Sequence, residues 1–125
     1  MDSAIDLLGA CASLTEYWSP RVVGTLNGDY VKVAKVRGTF TWHKHDDQDE
    51  FFLVLRGELE IAFEGGRSVT LRPGQFYVVP RNTLHCPSAA QECCIALIEP
   101  QETKHTGDVV SPLTRSIEAQ LGEGA

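Results

Sequence analysis

Glycine- and proline-bearing turns recur so closely between Asn27 and Thr83 that only short strands fit between them. Asn27-Gly28 is a two-residue hairpin signal, Arg56-Gly57-Glu58 turns the chain again, and Glu64-Gly65-Gly66-Arg67 and Pro73-Gly74 follow at short intervals. The segments between them carry β character. Val22–Leu26 is a short strand candidate, and Tyr30 to Val36 sets Tyr30, Lys32, Ala34 and Val36 against Val31, Val33 and Lys35. Phe40-Thr41-Trp42 continues the β pattern, and Phe51 to Leu55 is an apolar run suited to a core strand. Leu59 to Phe63 alternates, Ser68 to Leu71 and Phe76 to Val79 are short strands, and Glu92 to Ile98 is the last. This punctuation predicts an all-β sandwich or barrel.

The ends read differently. Ile5, Leu7, Leu8, Cys11 and Leu14 recur at helical spacing, predicting an N-terminal helix over about residues 3–15, capped by Ser3 and stopped by Trp18-Ser19-Pro20. Its apolar stripe must cover this molecule's own barrel or that of a partner. Beyond Pro100 the tail is polar, with a short helix expected from Ser111 or Pro112 to Leu121 and a loose end over residues 122–125. Length and patterning predict one domain over 1–125.

A net charge of −6, with no run of Lys and Arg, argues against nucleic acid and anionic membrane as partners. No apolar run reaches the roughly 20 residues of a bilayer span, and the acidic N-terminus is unlike a secretory signal. Cys11, Cys86, Cys93 and Cys94 form no CxxC pair, and Cys93 and Cys94 as strand neighbours point to opposite faces. Buried free thiols and a cytoplasmic location are expected.

His43 and His45 stand at i and i+2, so on a strand both rings project from one face, and a tight turn through Asp46-Asp47-Gln48-Asp49 brings Glu50 back beside them. Two imidazoles and a carboxylate suit Zn²⁺, Fe²⁺, Mn²⁺, Ni²⁺ or Cu²⁺ rather than Ca²⁺ or Mg²⁺. Asp49 is the rival for the position of Glu50. His85, after the Gly74 to Pro80 segment, can aim a third ring at the same cavity. His105 has no such partners near it in sequence.

Gly38-(4)-His43-Lys44-His45-(4)-Glu50-(6)-Gly57 resembles the first motif of the cupin superfamily, over residues 38–57, and Gly74-(5)-Pro80-Arg81-Asn82-(2)-His85 resembles the second, over 74–85. The words WHKH, DEFFLVLRGEL and LRPGQFYVVPRNTLH are similar to those of small single-domain bacterial cupins labelled mannose-6-phosphate isomerase-like. The resemblance implies a double-stranded β-helix, or jelly-roll. It also implies one divalent transition metal (Zn, Fe, Mn or Ni) on His43, His45, Glu50 and His85, and a homodimer. Three departures stand out. One residue is missing between Gly38 and His43, a gap that a bulge or a shifted turn can absorb. Asn82 replaces a glycine in a turn that needs left-handed backbone, and Ala89 replaces an asparagine.

A metal with an open position serves a dioxygenase or a sugar isomerase-like enzyme, a non-catalytic module gripping a small sugar or anion, or structure alone. The chain is too short for the extra elements of a full phosphomannose isomerase, so the isomerase-like label describes the module rather than an activity. Trp42, next to the proposed ligands, is the aromatic expected to line the pocket. Tyr77, Gln75 and Asp49 are the candidate bases, and Arg72, Arg81 and Cys86 read as surface or structural residues.

Overall fold

The computed structural model describes residues 3–122. Its elements are α1 (Leu7–Ala12), β1 (Arg21–Leu26), β2 (Asp29–Thr39), β3 (Glu50–Arg56), β4 (Leu59–Phe63), β5 (Ser68–Leu71), β6 (Phe76–Val79), β7 (His85–Pro100) and α2 (Ile117–Gln120). All strand pairings are antiparallel. The order is β1-β2-β7-β3-β6, with β4 off this path, paired to the first part of β7 and carrying β5.

The 16-residue β7 organises the barrel. Its first part pairs with β4, Phe63 opposite His85 and Glu60 opposite Ser88, and its second with β3, Phe51 opposite Ile98 and Val54 opposite Ile95. β2 runs along both parts, from Tyr30 opposite Glu99 to Thr39 opposite Ser88. One strand thus belongs to both arms of the sheet, and the arms close on a single apolar cluster containing Val54, Leu97, Ile61, Phe63 and Leu71.

Alternation decides which side chains enter. On β3, Glu50, Phe52 and Val54 are buried and their neighbours half-buried. Cys93 joins the main core, whereas Cys94 turns to the opposite face and packs with Cys11 and Val33, as strand neighbours must. All four cysteines are free and buried.

The two compensating features expected of the motifs are present. The β2–β7 register shifts between Val36 and Gly38, and Gly38 lies at φ +81°, so a bulge absorbs the missing residue. Asn82 takes φ +59° in the turn before β7, the conformation its short polar side chain tolerates. Ala89 is buried in the core.

Several expectations need correction. The N-terminal helix is six residues long and begins after Asp6, not Ser3; Ile5 and Leu8 are exposed, and Leu7, Cys11 and Leu14 cover β2, β3 and β7 of this same chain. Phe40 to Trp42 is not a strand. The last strand begins at His85 instead of Glu92. The C-terminal helix is confined to Ile117–Gln120, where the Ser116 side chain accepts from the Ala119 N–H; the loose end expected over 122–125 falls, from residue 123, outside the described residues. Among the described residues no helix is long and apolar enough to cross a membrane.

Candidate metal centre

His43 and His85 meet through the backbone. Each N–H donates to the other's carbonyl, at 3.0 and 2.9 Å, an isolated antiparallel bridge that holds residues 42 positions apart in sequence side by side. Asn82 N–H donates to the His45 carbonyl at 2.7 Å, so the left-handed turn also fastens the second histidine. Glu50 opens β3 opposite Val79 and faces inward with Phe52 and Val54.

Four donor atoms from His43, His45, Glu50 and His85 lie within 4.8 Å of one another, and all four residues are buried. His43 Nδ1 lies 2.7 Å from the Thr41 carbonyl and His85 Nδ1 2.8 Å from that of Thr83. A carbonyl only accepts, so both rings carry their proton on Nδ1 and turn a bare Nε2 inward. His45 Nε2 is 3.1 Å and His85 Nε2 3.4 Å from Glu50 Oε1. His85 Nε2 has no hydrogen-bond partner although it is buried. Lone pairs and a carboxylate crowded together without enough hydrogens between them call for a cation. Three imidazoles and one carboxylate, each imidazole small and borderline in softness, fit a divalent transition ion.

The electrostatics agree. Burial pushes the His43 imidazole down, to about 4, against the pull of Glu50. For His45 burial acts downward too, but the hydrogen bond and charge of Glu50 outweigh it and raise the ring above its ordinary value. Burial would raise Glu50; the hydrogen bond and charge of His45 win and hold it well below the carboxylate range.

The neighbours that sequence reasoning nominated do not line the cavity beside this cluster. Trp42 is 45% exposed and lines a separate surface groove with Leu84 and Phe63. Asp49 is exposed, accepts from the Arg81 N–H at 2.8 Å and pairs with the Arg81 guanidinium at 3.6 Å, so Glu50 and not Asp49 joins the cluster. The Gln75 side-chain oxygen Oε1 accepts from the Arg72 N–H, and Tyr77 packs near Phe63.

The cavity holds other polar groups instead. Its volume is about 30 Å³, and His43, Glu50, Glu99 and His105 share its wall with apolar residues such as Phe40 and Phe52. Glu99 is buried, and its carboxylate takes a 2.6 Å ion pair from the fully buried Lys32, which also donates to Gln120. Burial, then the Glu50 carboxylate, push Glu99 up to about 8 against the Lys32 ammonium. His105 packs on Phe40 at 5.0 Å between ring centroids, and Phe40 meets His43 edge-on at 5.5 Å. Lys32 and Glu99 were detectable as charged residues on strand faces otherwise apolar; His105 and Gln120 sit in the polar tail, where no local signal marks them.

A β-barrel with four clustered donors that could hold a metal is the architecture that fold and site define. The chain matches the Cupin domain family over residues 30–99 and belongs to it. A cupin-2 domain protein of Shewanella frigidimarina is 42% identical and superposes with a TM-score of 0.74, over 77% of this chain and 93% of that one. The Bacillus subtilis protein YdbB is 31% identical over 85 residues, 68% of this chain and 75% of that protein. A 3-hydroxyanthranilate 3,4-dioxygenase of Ruegeria pomeroyi is 35% identical over 71 residues, 53% of this chain but 39% of the dioxygenase.

Proposed function

We propose that this cupin holds one divalent transition metal on His43, His45, Glu50 and His85 and acts on a small molecule bound beside it. The observation that carries the reading is the convergence of four buried donors within 4.8 Å, with His85 Nε2 lacking any partner. A bound Fe²⁺, Zn²⁺, Mn²⁺ or Ni²⁺ would supply Lewis acidity, and with iron the activation of O₂. The chain's own residues fix the ligand tautomers through the Thr41 and Thr83 carbonyls and exclude bulk water with Phe40 and Phe52.

Among reactions, O₂-dependent oxidation with iron is the one we favour. The cavity is small and mainly apolar, which suits a diatomic gas, and the similarity to a protein named as a dioxygenase supports the same class. Nitric oxide added to the iron-loaded protein should give the paramagnetic signal of a high-spin ferrous nitrosyl. An iron-loaded protein that gives no such signal would have no open coordination position, and the oxidation reading would fail.

Homodimer formation is part of the same reading. The edge strand β6 exposes Phe76 (59%) and Val78 (41%) beside the half-buried Phe51, whose ring stacks on Phe76 at 5.0 Å. A particle of monomer mass in solution would overturn it. Four unpaired buried thiols suit a reducing cytoplasm.

A further inference from the structure

We propose that His105, from the C-terminal tail, completes the site as its ligand-recognising hydrogen-bond donor, offering Nε2–H to a small anion bound beside the metal. The proposal rests on the metal reading above and adds to it a recognition residue and a ligand class.

The tautomer follows from geometry. The Arg115 backbone N–H donates to His105 Nδ1 at 2.8 Å. A backbone amide has only a hydrogen to give, so Nδ1 bears the lone pair and the ring proton sits on Nε2. No hydrogen bond from Nε2 is formed among the described residues, and the ring lines the cavity that holds His43 and Glu50. Burial keeps the imidazole neutral by lowering it to about 4.

The tail that carries His105 is fastened at several points. Ser111 meets the Thr41 hydroxyl at 3.1 Å, Thr106 meets Thr114 at 2.7 Å, Leu113 packs on the main core and Gln120 accepts from Lys32. A donor held this firmly loses little freedom when it binds, which is what recognition requires.

Charge selects the ligand. Of the other polar groups of the cavity, His43 and Glu50 belong to the metal set and Glu99 holds Lys32 through Oε1, its Oε2 being left without a partner. The Lys32–Glu99 pair adds no net negative charge, so a divalent ion beside the one Glu50 carboxylate leaves the cavity net positive. A monoanion is therefore favoured, with one atom toward the metal and another accepting from His105. A volume of about 30 Å³, room for about two waters, restricts it to a few heavy atoms unless the tail shifts.

Azide titrated into the Co²⁺-loaded protein, followed by the cobalt absorption bands, tests the proposal. Wild type, His105→Phe and His105→Gln should each take up one cobalt per chain. His105→Phe should bind azide about tenfold more weakly or worse, the loss expected of one hydrogen bond to a charged ligand. His105→Gln, whose amide can accept from Arg115 and still donate, should stay within about threefold of wild type. Independently of any variant, azide should shift the His105 Nε2–H resonance of the Zn²⁺-loaded wild type. Equal azide affinity in cobalt-loaded wild type and His105→Phe, or no shift of that resonance, overturns the proposal alone. A wild type that takes up no cobalt overturns the metal reading and the proposal with it.

Discussion

Acid should unfold the metal-free protein well above the pH at which ordinary carboxylates protonate. In the folded chain His43 is lowered to about 4 by burial, which outweighs the attraction of Glu50. In the unfolded chain it titrates near about 6.5. Between those values the unfolded state binds a proton that the native state refuses, so stability falls as pH falls, by about 1.4 kcal/mol per pH unit for each such group. His43 alone contributes about 3.4 kcal/mol over the full interval, and His105, lowered to about 4 mainly by burial, contributes a similar amount. Together they approach the 5–15 kcal/mol that holds a small domain. His45 does not offset this loss. Its raised value gives a contribution fully present below about 6.5 and lost only as pH rises through the folded pKa. Glu50, held low, adds its own loss only further into acid. Urea unfolding of chelator-treated protein at constant ionic strength measures the slope. From pH 6 to pH 5 stability should drop by about 2–3 kcal/mol, and His105→Gln should roughly halve that drop. Stability flat to within about 0.5 kcal/mol across this step would refute the assignment of neutral buried imidazoles.

Other perturbations follow from the same packing. Lys32→Met leaves the buried Glu99 without its 2.6 Å partner and should cost about 3–5 kcal/mol, whereas Lys32→Met with Glu99→Leu should recover most of it; urea titrations in which the double variant is no better than the single would count against the pair. Gly107 lies at φ +59°, and a Cβ there would fall on the Lys44 carbonyl oxygen between His43 and His45, so Gly107→Ala should cost about 2–4 kcal/mol in the same assay. Gly57→Ala combines φ +89° with a Cβ 2.9 Å from the Glu92 carbonyl and should lose a comparable amount; either variant as stable as wild type would contradict the backbone geometry.

The barrel was legible where local chemistry repeats the global fold. Leu59–Phe63, Ser68–Leu71 and Phe76–Val79 occur with the boundaries read from alternation between glycine turns. The first half of β7, HCPSAAQ, was not, because Pro87 and a run of small residues hide its pairing with β4. Its partner strands supply the order that its own sequence lacks: the Pro87 carbonyl accepts from Phe40, and Cys86 sits opposite Ala62. The four clustered donors were legible because i, i+2 spacing and the second motif bring them to one mouth. Long-range partnership was the hidden part. Alternation put Lys32 on the face of Ala34 and Val36, yet its partners Glu99 and Gln120 lie 67 and 88 residues away. His105 reaches the cavity only because the tail docks back over the barrel, and such docking leaves no local period to read. Trp42 failed for a simpler reason: next to the buried His43 in sequence, it points to the opposite side.

Metal content per chain is the most direct test of the central claim. Wild type purified without added metal, or reconstituted afterwards, should carry about one equivalent of a divalent transition ion, and His45→Ala should lose it while keeping its fold by circular dichroism. A folded wild type that holds no metal even after reconstitution would contradict the account and leave His43, His45, Glu50 and His85 as a buried packing cluster.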